Sequence, residues 1–137
     1  MKQKRILVID GMGAGIGKQI VERLTAAQIP AEITVVGANS AATSNMMRPG
    51  IAAATGENAC IYNTGRADII IGPIGIILPN AMNGEISPAM ALAVAQSEAE
   101  RILIPVSNQH VTIAGMPNIT LAHALDEMTK AVLALIQ

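Results

Sequence analysis

The chain has 137 residues, 51% of them hydrophobic and only 14% charged, with a formal net charge of -1. That balance excludes intrinsic disorder, which needs the opposite mix, and it leaves no basic stripe for nucleic acid and no polybasic patch for a membrane surface. The length suits one domain, and the single cysteine, Cys60, supplies neither an internal disulfide nor a zinc site.

The chain opens with Met1 to Arg5, followed by the apolar run Ile6 to Ile9. Asp10 and the glycines behind it cut that run too short for a signal peptide. Arg5 to Asp10 shows no polar alternation, as expected of a strand covered on both faces. From Gly15 a helix is predicted, with Ile16, Ile20, Val21, Leu24 and Ala27 on one face and Pro30 ending it. Ile33 to Gly37 is a second buried strand. Ser40 caps a helix carrying Ala41, Ala42, Met46 and Met47, closed by Pro49-Gly50. Ile51 to Ala54 is a very short third strand.

Residues Thr55 to Arg66 allow two readings. A strand at Ala59 to Tyr62 would leave only Asn63 to Ala67 before the next strand, too few for a parallel crossover, so it would force a hairpin. The preferred reading is a helix over 56–64, with Thr55 as N-cap and Gly65 as C-cap, because it keeps strands and helices alternating. Asp68 to Gly72 is a strand, and Gly72 to Ile86 a long connection. The apolar run from Ile69 to Pro79 falls short of the roughly 20 residues of a membrane span and contains Gly72, Pro73 and Gly75. Ser87-Pro88 places an N-cap before a proline at the first helical position, starting a helix to about Ala99. Arg101 to Val106 is a strand. Val111 to Ala114 is an added edge strand after a turn at Ser107 to His110. Leu121, Leu125, Met128, Val132 and Leu135 form the apolar stripe of a last helix. The whole reads as a single three-layer, Rossmann-like α/β domain over residues 1–137 with a mostly parallel sheet.

The informative motif is Asp10-Gly11-Met12-Gly13-Ala14-Gly15-Ile16-Gly17-Lys18, directly after the first strand and opening the first helix. Glycines let backbone approach a phosphate, and the free amides and dipole of the helix start attract the anion. The dinucleotide spacing G-x-G-x-x-G fails, because Ile16 stands where the third glycine belongs. A P-loop fails too, since Met12 and Gln19 occupy required positions. G-x-x-x-G-x-G, made by Gly11, Gly15 and Gly17, does fit.

In that turn the chain resembles the short-chain dehydrogenase/reductase family over about its first forty residues. The resemblance implies a nicotinamide dinucleotide, NADP or NAD, with its pyrophosphate on Gly15 to Gly17. The family's catalytic Tyr-x-x-x-Lys has no counterpart, because Tyr62 is followed four residues later by Arg66. Over nearly its whole length the chain is similar to short bacterial proteins grouped only as a Rossmann-like domain of unknown function. The matching stretches are Ile9-Asp10-Gly11 with Gly15 to Val21, Ala54 to Ala59, Ala67 to Gly75, Gly84-Glu85-Ile86 and Pro88-Ala89-Met90. That resemblance implies a fold and no activity.

Ligands of such sheets sit beyond the carboxyl ends of the strands. The candidate binding residues are therefore Gly11, Gly13, Gly15, Ile16, Gly17 and Lys18, with Asn39 and Ser40 after strand two, Thr55 and Asn58 after strand three, and Asn80 after strand four. No acid follows strand two to hold ribose hydroxyls, and Arg48 lies eight residues past Ser40, which favours NADP or another nucleotide over NAD. Asn39-Ser40 and Thr55 read equally well as helix caps. Asp10 would repel a phosphate, so it caps the turn or meets a ribose or a metal. Glu85, in the longest connection beside Asn80 and Asn83, and Glu57 are the candidate acid/base groups. His110 and His123 show no carboxylate partner, so no metal site is assigned.

Only Tyr62 is aromatic, while eight residues are Met. The core must be built from Ile, Leu, Val, Ala and Met. The apolar excess points to a self-association surface. The expected function is cytoplasmic binding of a nucleotide-type ligand by a homo-oligomer. An NADP-dependent oxidoreductase and a non-catalytic self-assembling protein remain as alternatives.

Overall fold

The computed structural model describes residues 3–12, 15–105, 110–116 and 118–137. Strands and helices alternate as β1 (Arg5–Asp10), α1 (Ile16–Ala26), β2 (Glu32–Gly37), α2 (Ser40–Met46), β3 (Ala52–Thr55), α3 (Glu57–Thr64), β4 (Ile69–Pro73), α4 (Pro88–Gln96), β5 (Glu100–Ile104) and α5 (Leu121–Ile136). A 3-10 turn, Ile74–Ile77, follows β4 directly. The strands form one sheet in the order β3-β2-β1-β4-β5. Every neighbouring pair is parallel, with Val8 opposite both Val35 and Ile71.

The period of two along β1 divides the core. Ile6 and Val8 point to the side of α1 and α5, among Ile20, Leu24, Leu125 and Met128. Leu7 and Ile9 point to the other side, among Cys60 of α3 and Met90 and Val94 of α4. Because helices cover both faces, β1 is an unbroken apolar run. Burying each such aliphatic side chain contributes about 1.5–3 kcal/mol. The result is the Rossmann-like, three-layer α/β architecture expected from the sequence, and its sheet is entirely parallel among the described residues.

Four local readings need correction. α2 is capped by Asn39, one residue before Ser40, through a 2.9 Å bond that its Oδ1 accepts from the Ala42 amide. α3 forms as expected with Gly65 as C-cap, but its N-cap is Gly56, and Thr55 closes β3 instead. α4 ends at Gln96, three residues before Ala99. The Ser97 hydroxyl there donates to the Thr64 carbonyl at 3.0 Å and accepts from the Ala99 amide at 3.1 Å, turning the chain out of the helix. Residues 111–114 add no strand. A 3.3 Å bond from the Met116 amide to the Ile113 carbonyl, with Gly115 at φ 80°, folds this stretch into a turn. The turn expected at Ser107 to His110 and the end of the fifth strand at Val106 fall largely outside the described residues. Among the described residues no helix is long and apolar enough to cross a membrane.

Candidate functional site

From β1 the chain builds β2 and β3 on one side, then crosses to build β4 and β5 on the other. The carboxyl ends of β1 and β4 therefore flank the switch point at which sheets of this kind hold ligands. The glycine turn leaves β1 at this point. Gly13 and Ala14 lie outside the described residues, so the turn is defined by Gly11 and Met12 on one side and Gly15 to Lys18 on the other.

Gly15 is the N-cap of α1, at φ 90° and ψ 3°, and it has no side chain with which to cap. This left-handed backbone is open to glycine at no steric cost. Helix geometry leaves the first amides of α1 without intrahelical acceptors. One of them is already used: the Gly17 amide donates to Asp10 Oδ2 at 2.8 Å. The Gly11 amide donates to Asp10 Oδ1, also at 2.8 Å. No acceptor for the Ile16 or Lys18 amide lies among the described residues, and the exposed Lys18 side chain forms no ion pair among them.

Asp10 is thus the buried centre of the turn, only 4% exposed. Of the roles open to it in the sequence, the geometry gives it the cap. Burial pushes its carboxyl above the ordinary carboxylate range, and the amides of Gly17, Gly11 and Met12 partly offset that shift. Gly17 must be glycine for this arrangement. A Cβ there would lie 2.6 Å from the Met46 sulfur and 2.8 Å from Asp10 Cβ.

Asn39 ties the next loop to this turn, since its Nδ2 donates to the Gly11 carbonyl at 2.8 Å. Its side chain therefore caps α2 and braces the glycine turn at once. Ser40, beside it, is exposed. The Thr55 hydroxyl pairs with Thr43 Oγ1 at 2.7 Å, and Thr43 also bonds the Asn39 carbonyl at 3.1 Å. Gly11, Asn39 and Thr55 are thereby joined through one hydrogen-bonded chain. Thr43 and its role had no local signal in the sequence.

The remaining candidates are placed more loosely. Glu57 Oε1 accepts from the Ser87 hydroxyl at 2.6 Å, linking the starts of α3 and α4. Asn58 is exposed in the first turn of α3. Asn80, Asn83 and Glu85 are exposed in the segment 78–86, where Asn80, Met82 and Asn83 all take positive φ values. Bonds from the Asn80 amide to the Ile86 carbonyl (2.7 Å) and from the Ile86 amide to the Ala81 carbonyl (3.2 Å) close this segment on itself. Its buried Met82 and Ile86 pack against Gly11, a contact between residues about seventy positions apart that the sequence does not announce.

His123 has a carboxylate neighbour after all, Glu127 Oε1 at 4.0 Å on the next turn of α5, with both side chains exposed. Among the described residues no three His, Cys, Asp or Glu side chains converge as a metal site would require. A cleft of about 690 Å³ opens at the opposite end of the sheet, lined by Lys4, Thr64, Arg66, Asp68, Gln96 and Ser97. The carboxyl ends of α3 and α4 meet there. Their dipoles oppose anion binding at that end.

Residues 5–137 match the family described as a domain of unknown function (DUF3842), and the chain belongs to that family. No curated protein matches the sequence. Among solved structures the chain is similar to the crystal structure of a proposed epimerase from Bacteroides thetaiotaomicron, with 13% sequence identity and a TM-score of 0.45. That likeness covers 72% of this chain and 44% of the other, so the chain spans less than half of that protein's length.

Proposed function

We propose that this member of the DUF3842 family binds a nucleotide-type ligand, with a phosphate group held at the turn between β1 and α1. The observation that carries the reading is the start of α1 at the switch point. There the left-handed Gly15 presents a helix N-terminus whose Ile16 and Lys18 amides have no acceptor among the described residues. Backbone amides, the helix dipole and the Lys18 charge all favour an anion at this spot. Asn39 and Ser40 stand beside it, where the rest of a nucleotide would extend. Should the ligand undergo chemistry, Glu57, oriented by Ser87, and Glu85 are the acid/base candidates.

A thermal-shift panel of AMP, ATP, NAD, NADP and S-adenosylmethionine tests the reading. A rise in Tm with at least one phosphate-bearing member is expected, and no rise with any of them overturns it. Self-association is a second reading, supported by Ile61 and Tyr62 on α3 and Leu92 on α4, which are 43%, 60% and 60% exposed. A monomeric mass in light scattering at micromolar concentration would remove it.

A further inference from the structure

We infer that two copies of this chain pair along β3, antiparallel across a two-fold axis, so that their sheets join into one; this names the surface behind the self-association reading above and rests on it. The backbone of that edge, its lack of guards and the apolar side chains beside it lead there.

β3 ends one side of the sheet, and among the described residues no strand pairs with its outer edge. Just past the strand, the Gly56 amide donates to the Gly37 carbonyl at 2.9 Å. Bonding alternates along a parallel pair, so Ala52 and Ala54 also face β2, while Ala53 and Thr55 turn their amides and carbonyls outward. In an antiparallel pair of such edges, Ala53 of one chain stands opposite Thr55 of the other, with Ala54 on the axis. Each of those facing pairs exchanges two backbone bonds. The edge is thus complementary to itself, as a two-fold interface requires.

Exposed edges are ordinarily guarded by charged side chains, proline or a bulge. β3 has none of these: it is an unbroken Ala-Ala-Ala-Thr in continuous register with β2, and Ala52 and Ala53 are exposed. Their methyl side chains let a second backbone approach closely. The opposite edge differs, because β5 begins with Glu100 and Arg101, both exposed.

Shortness is the one remaining guard. The four residues of β3 span only about 13 Å, so a bare peptide strand laid on them falls far short of the roughly 800 Å² per partner of a stable interface. A second copy brings the flanks as well. α2 and α3 lie beside β3 on opposite faces of the sheet, since Met46 packs with the core of α1 and α5, and Cys60 with the core of α4. Met47, next after α2, is 56% exposed, and Tyr62 on α3 is 60% exposed. Tyr62 and Ala52 to Ala54 line a groove of about 230 Å³. The Arg66 guanidinium sits 5.2 Å from the centre of the Tyr62 ring and steadies it there. Joining two β3 edges therefore covers apolar side chains on both faces of the extended sheet, which a peptide cannot do.

Sedimentation equilibrium on the full chain at micromolar concentration tests the inference. The parent should be a dimer. Ala53→Pro removes an outward amide at an edge position where proline is tolerated, and Ala53→Lys adds the missing guard. Each should weaken the dimer at least about tenfold while the far-ultraviolet circular dichroism stays that of the parent. Leu92→Glu is the comparison, because Leu92 lies on α4, which packs on α3 and on the turn after β4. It should stay within about twofold of the parent. A dimer that both Ala53 variants leave intact overturns the β3 interface and leaves self-association standing. A monomeric parent removes both readings. One readout needs no variant: amide exchange at Ala53 and Thr55 should slow as rising concentration converts monomer to dimer. Unchanged exchange at those two amides in the dimer overturns the inference.

Discussion

The Asp10 carboxylate and the Gly17 amide meet at 2.8 Å beneath the first turn of α1, joining the end of β1 to the start of the helix it feeds. Because Asp10 also accepts from Gly11, one side chain fixes both ends of the glycine turn. Asp10→Ala would strand buried donors on both sides. Such a loss costs about 1–3 kcal/mol. The expected outcome is a lower denaturation midpoint in urea with an unchanged slope. A midpoint equal to that of the parent protein would show that the turn does not depend on this carboxylate.

The same residue gives a pH dependence with a definite sign. Desolvation raises the Asp10 pKa above its value in the unfolded chain, where 3.8 is ordinary. The folded state therefore holds the proton more tightly. The stability linked to this group is complete below the unfolded pKa and is lost as pH rises through the folded one. The stability difference between the parent and Asp10→Asn should accordingly shrink as pH rises from the ordinary carboxylate range. Urea titrations of both proteins from pH 4 to 8 measure it, and a difference that grows with pH contradicts the assigned shift.

The fold was legible wherever signals were local. The unbroken apolar run of β1, the Ser87-Pro88 start of α4 and the stripe on α5 each report a periodicity or a cap within one element. The helix over 56–64 followed from chain geometry, because too few residues remain for a strand and a crossover. Illegible features depend on distant partners. Asn39 and Ser40 are equally good caps on paper, and the 2.8 Å bond to the Gly11 carbonyl, 28 residues away, accompanies the choice of Asn39. The early end of α4 rests on Ser97 reaching Thr64, 33 positions back. At the site, the turn could be read from spacing, while charge left Asp10 open to a cap, a ribose or a metal, and its bonds to the Gly11 and Gly17 amides select the cap. The packing of Met82 against Gly11 could not, because a methionine beside Asn-Gly in a long connection carries no mark of where it packs.

Cys60 is fully buried in the core on the α3 and α4 side. Burial, with the nearby Glu57 charge adding to it, pushes the thiol up to about 11. The thiolate is the reactive form, so the native protein at pH 8 should resist disulfide reagents. Complete labelling is expected only after unfolding in guanidinium. Fast native-state labelling would show that α3 opens easily.

Thr43 is 7% exposed and bonds Thr55 Oγ1 at 2.7 Å, the Asn39 carbonyl at 3.1 Å and the Ala54 carbonyl at 3.3 Å. Thr43→Val keeps the shape and removes the hydroxyl, leaving its partners unpaired at a cost of about 1–2 kcal/mol. In Thr43→Val/Thr55→Val the two losses should be less than additive, because each single change already breaks the shared bond. Strict additivity in chemical denaturation would mean that the two hydroxyls act independently.

Lys18 supplies the last prediction, because it separates a charge at the turn from charge in general. It stands in the first turn of α1 and forms no ion pair among the described residues, whereas Lys4 precedes β1 at the opposite end of the sheet. Lys18→Glu and Lys4→Glu change the net charge equally. If the phosphate sits at the start of α1, only the first reverses a charge within roughly a Debye length of it, about 10 Å at 0.1 M salt. Phosphate-ligand affinity should fall about tenfold in Lys18→Glu at 0.05 M salt, and the loss should shrink at 0.5 M as screening shortens that length to a few ångströms. Lys4→Glu should stay within about twofold of the parent at both salt concentrations. Equal losses in the two variants would mean that the ligand responds to overall charge, and the turn would lose its claim to the phosphate.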